Sequence, residues 1–372
     1  MKNEIEERFV ALQEFVVAAR DKLADHPWGY VVGGTETETA QRRNRSALDS
    51  LALRPRVLAD VSNVDSTTTL LGRHSRLPVF LCPIGGLESF DPDGAITVAR
   101  AASQFGVPMM LSSVSKWPVE KVAESVPASE PGKSDLSLIF QLYARTDASG
   151  VDALVDRSLA LDLPAFCITV DSAVYSRRER DIVSRFVKPW RADGEGTAAH
   201  YQAALNWKDI SRIRKRWNGP LILKGIATAE DALIAIDHGV DVIYVSNHGG
   251  RQLDHVLGST AVLPEVTEAV NGRAVVFVDG GYCRGTDIAK AIALGASGVG
   301  LGRMMCLALA AAGAPGIVRM LELLETEFQI VLGLLGVDRV SDIRPSHVQS
   351  CDPMPFDHAL SSAFPLLADF KY

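Results

Sequence analysis

The string VSNHGGRQLD at residues 245–254 sets a histidine, two glycines and an arginine directly after an apolar run. His248 carries a ring that takes up a proton near neutral pH. Arg251, three residues on, is a planar cation suited to clamping an anionic substrate beside that base. Gly249 and Gly250 let the backbone turn close to a ligand. The bare spacing of His and Arg also fits a capping histidine with a surface arginine; the ten-residue string is far more specific. A second pair of strings reads VDGGYCRGTDI at 278–288 and GLGR at 300–303. Both run from an apolar stretch into glycines and then an arginine, the pattern of an anion cradle of amides and guanidinium, usually for a phosphate. Lys224 closes ILKG. It could be a Schiff-base nucleophile or a fixed cation beside developing charge, so an aldolase-like lyase competes on these residues alone.

The elements that must hold these groups follow from hydropathy. From residue 77 onward, short apolar runs alternate with helical patterns. The runs are Val79–Pro83, Pro108–Ser113, Leu138–Tyr143, Phe166–Asp171, Leu221–Lys224, Val242–Ser246, Val275–Asp279 and Val299–Gly302. Helical stretches near 93–105, 117–126, 149–161, 207–217, 228–238, 260–270, 284–294 and 304–313 separate them. Strands this apolar are expected to be covered on both faces, as in parallel sheets. Eight such alternations predict an α/β TIM barrel, (β/α)8. A doubly wound sheet is the alternative, but Pro83-Ile84-Gly85-Gly86 matches its Gly-rich opening turn poorly. Residues 1–75 read as an N-terminal helical extension, with helices over 4–25 and 36–52, a turn at Gly33-Gly34 and an extended piece from Asp60 to Leu71. A closing helix is expected over 316–334, and a long loop follows the fourth strand at 186–206. The whole chain, 1–372, reads as one barrel domain. Its active site would lie at the C-terminal strand ends. Those ends carry Ser112, Gln141, Tyr143, Thr169, Asp171, Lys224, Ser246, His248, Arg251, Asp279 and Arg303.

Composition narrows the class. The chain is 47% hydrophobic and 22% charged, with a formal net charge of -7. That argues against nucleic acid as a partner. Five cysteines without CxxC spacing suggest neither a disulfide framework nor a metal site. No apolar stretch reads as long enough to span a bilayer, and the acidic, amphipathic start is unlike a signal peptide. A cytoplasmic protein without a membrane anchor is expected.

Taken together, SNHGGRQLD, FQLY, ITVD, SRRERD, LKGI and the DGG and GLGR strings resemble the FMN-dependent α-hydroxy-acid oxidase and dehydrogenase family, in family order over nearly the whole chain. The resemblance implies FMN as cofactor, a 2-hydroxy acid as substrate and a homotetramer. It implies His248 as the base and Asp171 as the group that orients it and favours its protonated form. Arg178 and Arg251 would bind the substrate carboxylate, and Tyr143 a substrate oxygen. Lys224 would face the flavin and stabilise its reduced form, which displaces the Schiff-base reading. Backbone at Pro83, Ile84 and Gly85 would run beside the ring. Ser112, Gln141, Thr169 and Ser246 would hold ring or ribityl, and Asp279, Gly280, Gly281, Arg284, Gly302 and Arg303 ribityl and phosphate.

The chain departs from the family pattern at four places. Trp28 stands where a substrate-binding Tyr is usual, with Tyr30 as the alternative. Cys283 replaces a phosphate arginine, which predicts looser FMN. Val114 replaces a bulky aromatic, and the long loop after strand four is shorter than in many relatives. Gly85 stands where Ala is common, as in relatives that decarboxylate their product. The expected reaction is oxidation of an (S)-2-hydroxy acid bulkier than glycolate or lactate, with reoxidation by oxygen. A decarboxylating monooxygenase and a flavin-binding protein without turnover are the alternatives.

Overall fold

The computed structural model describes residues 4–126, 137–186 and 202–367. The expected long loop falls largely in 187–201, outside the described residues. Eight parallel strands close into a barrel: β1 Val79–Leu81, β2 Met109–Ser112, β3 Leu138–Leu142, β4 Phe166–Thr169, β5 Leu221–Ile226, β6 Val242–Val245, β7 Val275–Val278 and β8 Gly298–Leu301. They lie in sequence order, and β8 closes on β1 through Val299 opposite Val79. The predicted TIM barrel is therefore the observed fold, and each strand falls on its apolar run.

Side chains alternate across each strand. Met109, Leu111, Leu138, Phe140, Leu221 and Leu223 face the helical ring, whereas Phe80, Met110, Ile139, Cys167, Ile222, Tyr244 and Phe277 fill the interior. Phe80 packs 4.9 Å from Phe277 and edge-on to Tyr244 at 5.4 Å. Burying each such ring is worth about 1.5–3 kcal/mol. The same alternation aims the inward positions nearest the C-terminal ends, Ser112, Gln141, Thr169 and Lys224, at the top of the barrel.

Helices start where the sequence supplies caps. Asp147 accepts from the Gly150 amide, Thr228 from that of Asp231, and Asn206 with Asp209 forms a capping box. The expected helices over 304–313 and 316–334 run on as Arg303–Leu335, broken at Ala312 and Gly313. That helix is long and apolar enough to cross a membrane, contrary to the reading of the sequence, which stopped at the break. It packs against the helices Gln13–Lys22 and Ala95–Phe105 instead, and 67% of its most apolar window is buried.

The N-terminal extension is more divided than expected. Residues 4–25 form two helices, Glu4–Arg8 and Gln13–Lys22. An unforeseen helix, Asp25–Val32, follows, then Thr39–Asp49. Leu51–Leu53 pairs with Val348–Ser350, and Thr68–Leu70 with Arg73–Ser75. Thr39–Asp49 lies against the helix Ser259–Val270, which brings the extension over the barrel top.

Candidate active site

The C-terminal mouth opens into a cavity of about 490 Å³. Tyr30, Pro83, Ile84, Gly85, Val114, Tyr143, Arg178, Lys224, His248, Arg251, Asp279, Gly280, Gly281, Gly302 and Arg303 all line it. Ser112, Gln141, Thr169 and Ser246 are buried beneath, on the inward face of their strand ends. The sequence-predicted groups thus converge on one place, with two exceptions.

Trp28 is the first. It is buried in the core with Arg20 stacked on its ring, whereas Tyr30 lines the cavity. Residues two apart on a helix point about 200° apart, so only one of them can face the barrel. The Tyr30 hydroxyl donates to the Gly85 carbonyl at 3.1 Å, and burial, only partly offset by Arg251, pushes it up to about 12. Arg284 is the second. Its guanidinium lies 2.6 Å from Glu327 and donates to the Ala363 carbonyl, outside the cavity lining. Glu327 also accepts the Gly285 amide, so a carboxylate is fixed where Arg284 emerges.

His248 stands at the centre. Its Nδ1 lies 3.1 Å from Asp171 Oδ1, and its Nε2 3.2 Å from the Tyr143 hydroxyl. Its backbone is left-handed, φ 58°, and its amide donates to Ser246 Oγ at 3.0 Å. Such a conformation costs about 1–3 kcal/mol and persists only where the surroundings enforce it. Two residues on, Gly250 is also left-handed, at φ 78°, and a Cβ there would lie 2.5 Å from the Gln41 backbone nitrogen.

Burial pushes the His248 ring below its usual value; Asp171 pulls it up, while Lys224 and Arg178 push it down again. The net shift is downward. Asp171 favours the protonated ring, but burial and two cations outweigh its pull. Burial raises the Asp171 carboxyl, but His248 and Lys224 bring it below the usual range.

Lys224 is buried at a bulge in β5, opened by Gly225 at φ 110°. A Cβ at Gly225 would sit 2.7 Å from Asp171 Cβ, so only glycine lets these two ends approach. The Lys224 ammonium donates to Ser246 Oγ at 2.9 Å and lies 3.6 Å from Asp279. Burial lowers its proton affinity, but Asp279 and Asp171 outweigh it, so it stays cationic. Asp279 also accepts from Tyr244 at 2.8 Å and from Ser246 at 2.6 Å.

The arginines that line the cavity are positioned from behind. Arg251 Nη1 donates to the carbonyls of Tyr30 and Gly33, while its buried Nη2 has no protein partner. Arg178 is held by Ser176 Oγ, the Arg251 carbonyl and Gln252. Arg303 reaches the carbonyls of Val31, Gly33 and Gly249 and the Gln41 amide oxygen. Burial, with Arg251 near, lowers it to about 10.

Sequence reasoning missed Gln41, Asn44 and Gln202. Gln41 and Asn44 sit three apart on one helix face and line the cavity; Asn44 exchanges hydrogen bonds with Asn247. That polar face on the helix 39–49 was the available signal. Gln202 bridges the Ala144 amide and the Thr169 carbonyl; it lies in an aperiodic stretch that offered none.

The cavity suits a flat polar cofactor. Both polar atoms of the buried Gln141 amide, Thr169 Oγ1 and Ser172 Oγ lack protein partners. Each would cost about 1–3 kcal/mol unpaired. A planar ring edged with donors and acceptors meets that need, and the Gly280–Gly281 turn with Arg303 meets that of a phosphate.

Comparison with known proteins agrees. The sequence model of the family described as FMN-dependent dehydrogenase matches residues 19–350. The chain is 37% identical to glycolate oxidase of Spinacia oleracea, over 91% of this chain and 95% of the relative. It is 37% identical to an L-lactate dehydrogenase of a Caulobacter species, over 91% and 98%. A structure of mandelate oxidase with 3,3-difluoro-2-hydroxy-3-phenylpropionic acid superposes with TM-score 0.84 at 36% identity, covering 93% of this chain and all of the other. A mandelate oxidase variant with a C4a-OH-FMN adduct gives 0.82 at 36%, covering 92% and all. The chain belongs to the FMN-dependent dehydrogenase family of hydroxy-acid-oxidising flavoproteins, with FMN as its cofactor.

Proposed function

We propose that this chain oxidises an (S)-2-hydroxy acid larger than glycolate or lactate to the 2-keto acid, with His248 as the base. The neutral ring held by Asp171 beside Tyr143, facing an arginine with a free edge, carries the reading. Arg251 Nη2 and Arg178 bind the carboxylate. The substrate oxygen then lies near Tyr143 and His248 Nε2. His248 takes the hydroxyl proton, and the imidazolium so formed is stabilised by Asp171. FMN, when bound, supplies the two-electron acceptor for the α-carbon hydrogen and its electron pair. Lys224, held cationic by Asp279, faces the charge that arrives there. Gln141, Thr169, Ser112 and Ser246 would edge the ring, backbone at Pro83, Ile84 and Gly85 would run beside it, and Asp279, Gly280, Gly281, Gly302 and Arg303 would hold ribityl and phosphate.

The preference for bulk rests on Val114, a short side chain in the cavity wall, together with Gly85, Ala173 and Val174. Trp28 no longer contributes, since it lies in the core. The mandelate oxidase neighbours, solved with phenyl-bearing acids, fit this preference. The test is a comparison of kcat/KM across glycolate, lactate and mandelate, with peroxide and keto acid measured together. Mandelate should be preferred, with equal keto acid and peroxide. Faster glycolate turnover would refute the size preference, and a decarboxylated product would refute release of the keto acid.

A further inference from the structure

The family match stops at residue 350, yet the chain beyond it returns to the cofactor cavity. Ala359 and Leu360 line the same cavity as Gly280, Gly281, Cys283 and Arg303. They belong to the short helix Ala359–Ala363, which packs on Thr39–Asp49, the helix that supplies Gln41 and Asn44 to that wall. Leu360 is buried at 2% exposure, and Phe364 is fully buried.

The segment has its own fastenings. Ser362 Oγ donates to Asp49, a residue also paired with the buried Arg45. Arg284 Nη1 donates to the Ala363 carbonyl at 3.3 Å, and its guanidinium lies 5.6 Å from the Phe364 ring centroid. Arg284 is itself held by Glu327. Its neighbour Cys283 is buried in the cavity wall and, as a thiol, can supply no cation; burial pushes it up to about 12, so it adds no negative charge either.

We propose that residues 358–364 form a retaining strap over the phosphate end of FMN, with Arg284 as its anchor rather than as a phosphate ligand. An aliphatic wall there keeps water from the hydrogen bonds of the Gly280–Gly281 turn and Arg303. Charge-assisted bonds strengthen as water is excluded, which offsets the missing cation at position 283. FMN leaves only when the strap lifts, so weakening its anchors speeds release. The inference concerns cofactor retention and is independent of which hydroxy acid is oxidised.

The full-length FMN-loaded protein and its Phe364→Ala variant are diluted, and release is followed by the recovery of free-flavin fluorescence. The variant should release FMN at least ~10-fold faster. In parallel, hydrogen exchange of residues 358–364 is measured in the unaltered protein with and without FMN. Exchange there should slow at least ~10-fold when FMN is bound. Release at the parent rate, or slower release because the segment obstructs the phosphate, overturns the proposal. So does exchange that ignores FMN, and this readout decides the matter if Phe364→Ala does not fold.

Discussion

Asp171→Asn is the substitution that most sharply separates an orienting carboxylate from a merely structural one. Asp171 Oδ1 lies 3.1 Å from His248 Nδ1, and both side chains are largely buried, at 12% and 17% exposure. The neutral ring needs no counter-charge, but the imidazolium formed during proton transfer does. A charge-assisted hydrogen bond is worth about 1.5–3 kcal/mol. The Coulomb attraction of unit charges about 4 Å apart is about 4 kcal/mol at an effective dielectric of 20. At 1.36 kcal/mol per decade, the expected loss in kcat is about 10- to 1,000-fold. KM should change little, since Asp171 does not bind the carboxylate. The acid limb of the kcat/KM profile reports protonation of His248, whose pKa burial already lowers. Activity should therefore hold at neutral pH and fall only as pH drops below the usual histidine value near 6.5. Removing the carboxylate should move that limb to still lower pH, because the only large upward contribution is gone. Stopped-flow reduction across pH 4–9 checks both. A variant within 5-fold of the parent, or a limb displaced upward, would refute the assignment of Asp171 and the neutral ring together.

Arg251→Ala removes the guanidinium edge that faces the cavity. It should cost about 10- to 150-fold in kcat/KM, mostly through KM, while the bound-flavin spectrum is retained; an unchanged KM would place the carboxylate elsewhere. Lys224→Met leaves Asp279 buried without its cation. Thermal unfolding should show a loss of about 3–5 kcal/mol, and anaerobic flavin reduction should slow; restored stability in the double variant with Asp279→Asn would confirm the pairing. Val114→Phe narrows the wall, so kcat/KM for mandelate should fall at least ~10-fold while lactate is spared; equal losses for both acids would remove Val114 from the substrate's surroundings.

The barrel was legible because its strands are apolar on both faces and fall in short runs between helical patterns. The mouth residues were legible because period-two alternation places Gln141, Thr169 and Lys224 inward at strand ends, where a purely structural barrel would carry apolar side chains. What escaped depends on facts that sequence spacing does not encode. The helix Asp25–Val32 decides whether residue 28 or residue 30 faces the barrel, and its eight residues contain an internal Pro27 and Gly29 that hid it. Arg284 follows the phosphate-like glycines in sequence, but Glu327, 43 residues away, claims it. The sign of the His248 shift needed the depth of burial and the approach of Lys224, which depends on the glycine bulge at Gly225. Gln41 and Asn44 reach the cavity only because the N-terminal helix folds back over the barrel top.

The visible spectrum of the FMN-loaded protein, recorded without oxygen before and after adding (S)-mandelate, tests the central claim most directly. The account predicts that the oxidised flavin bands bleach within the turnover time and that keto acid forms in equal amount. A protein that holds FMN yet keeps its colour with mandelate, lactate, glycolate and larger 2-hydroxy acids would contradict it.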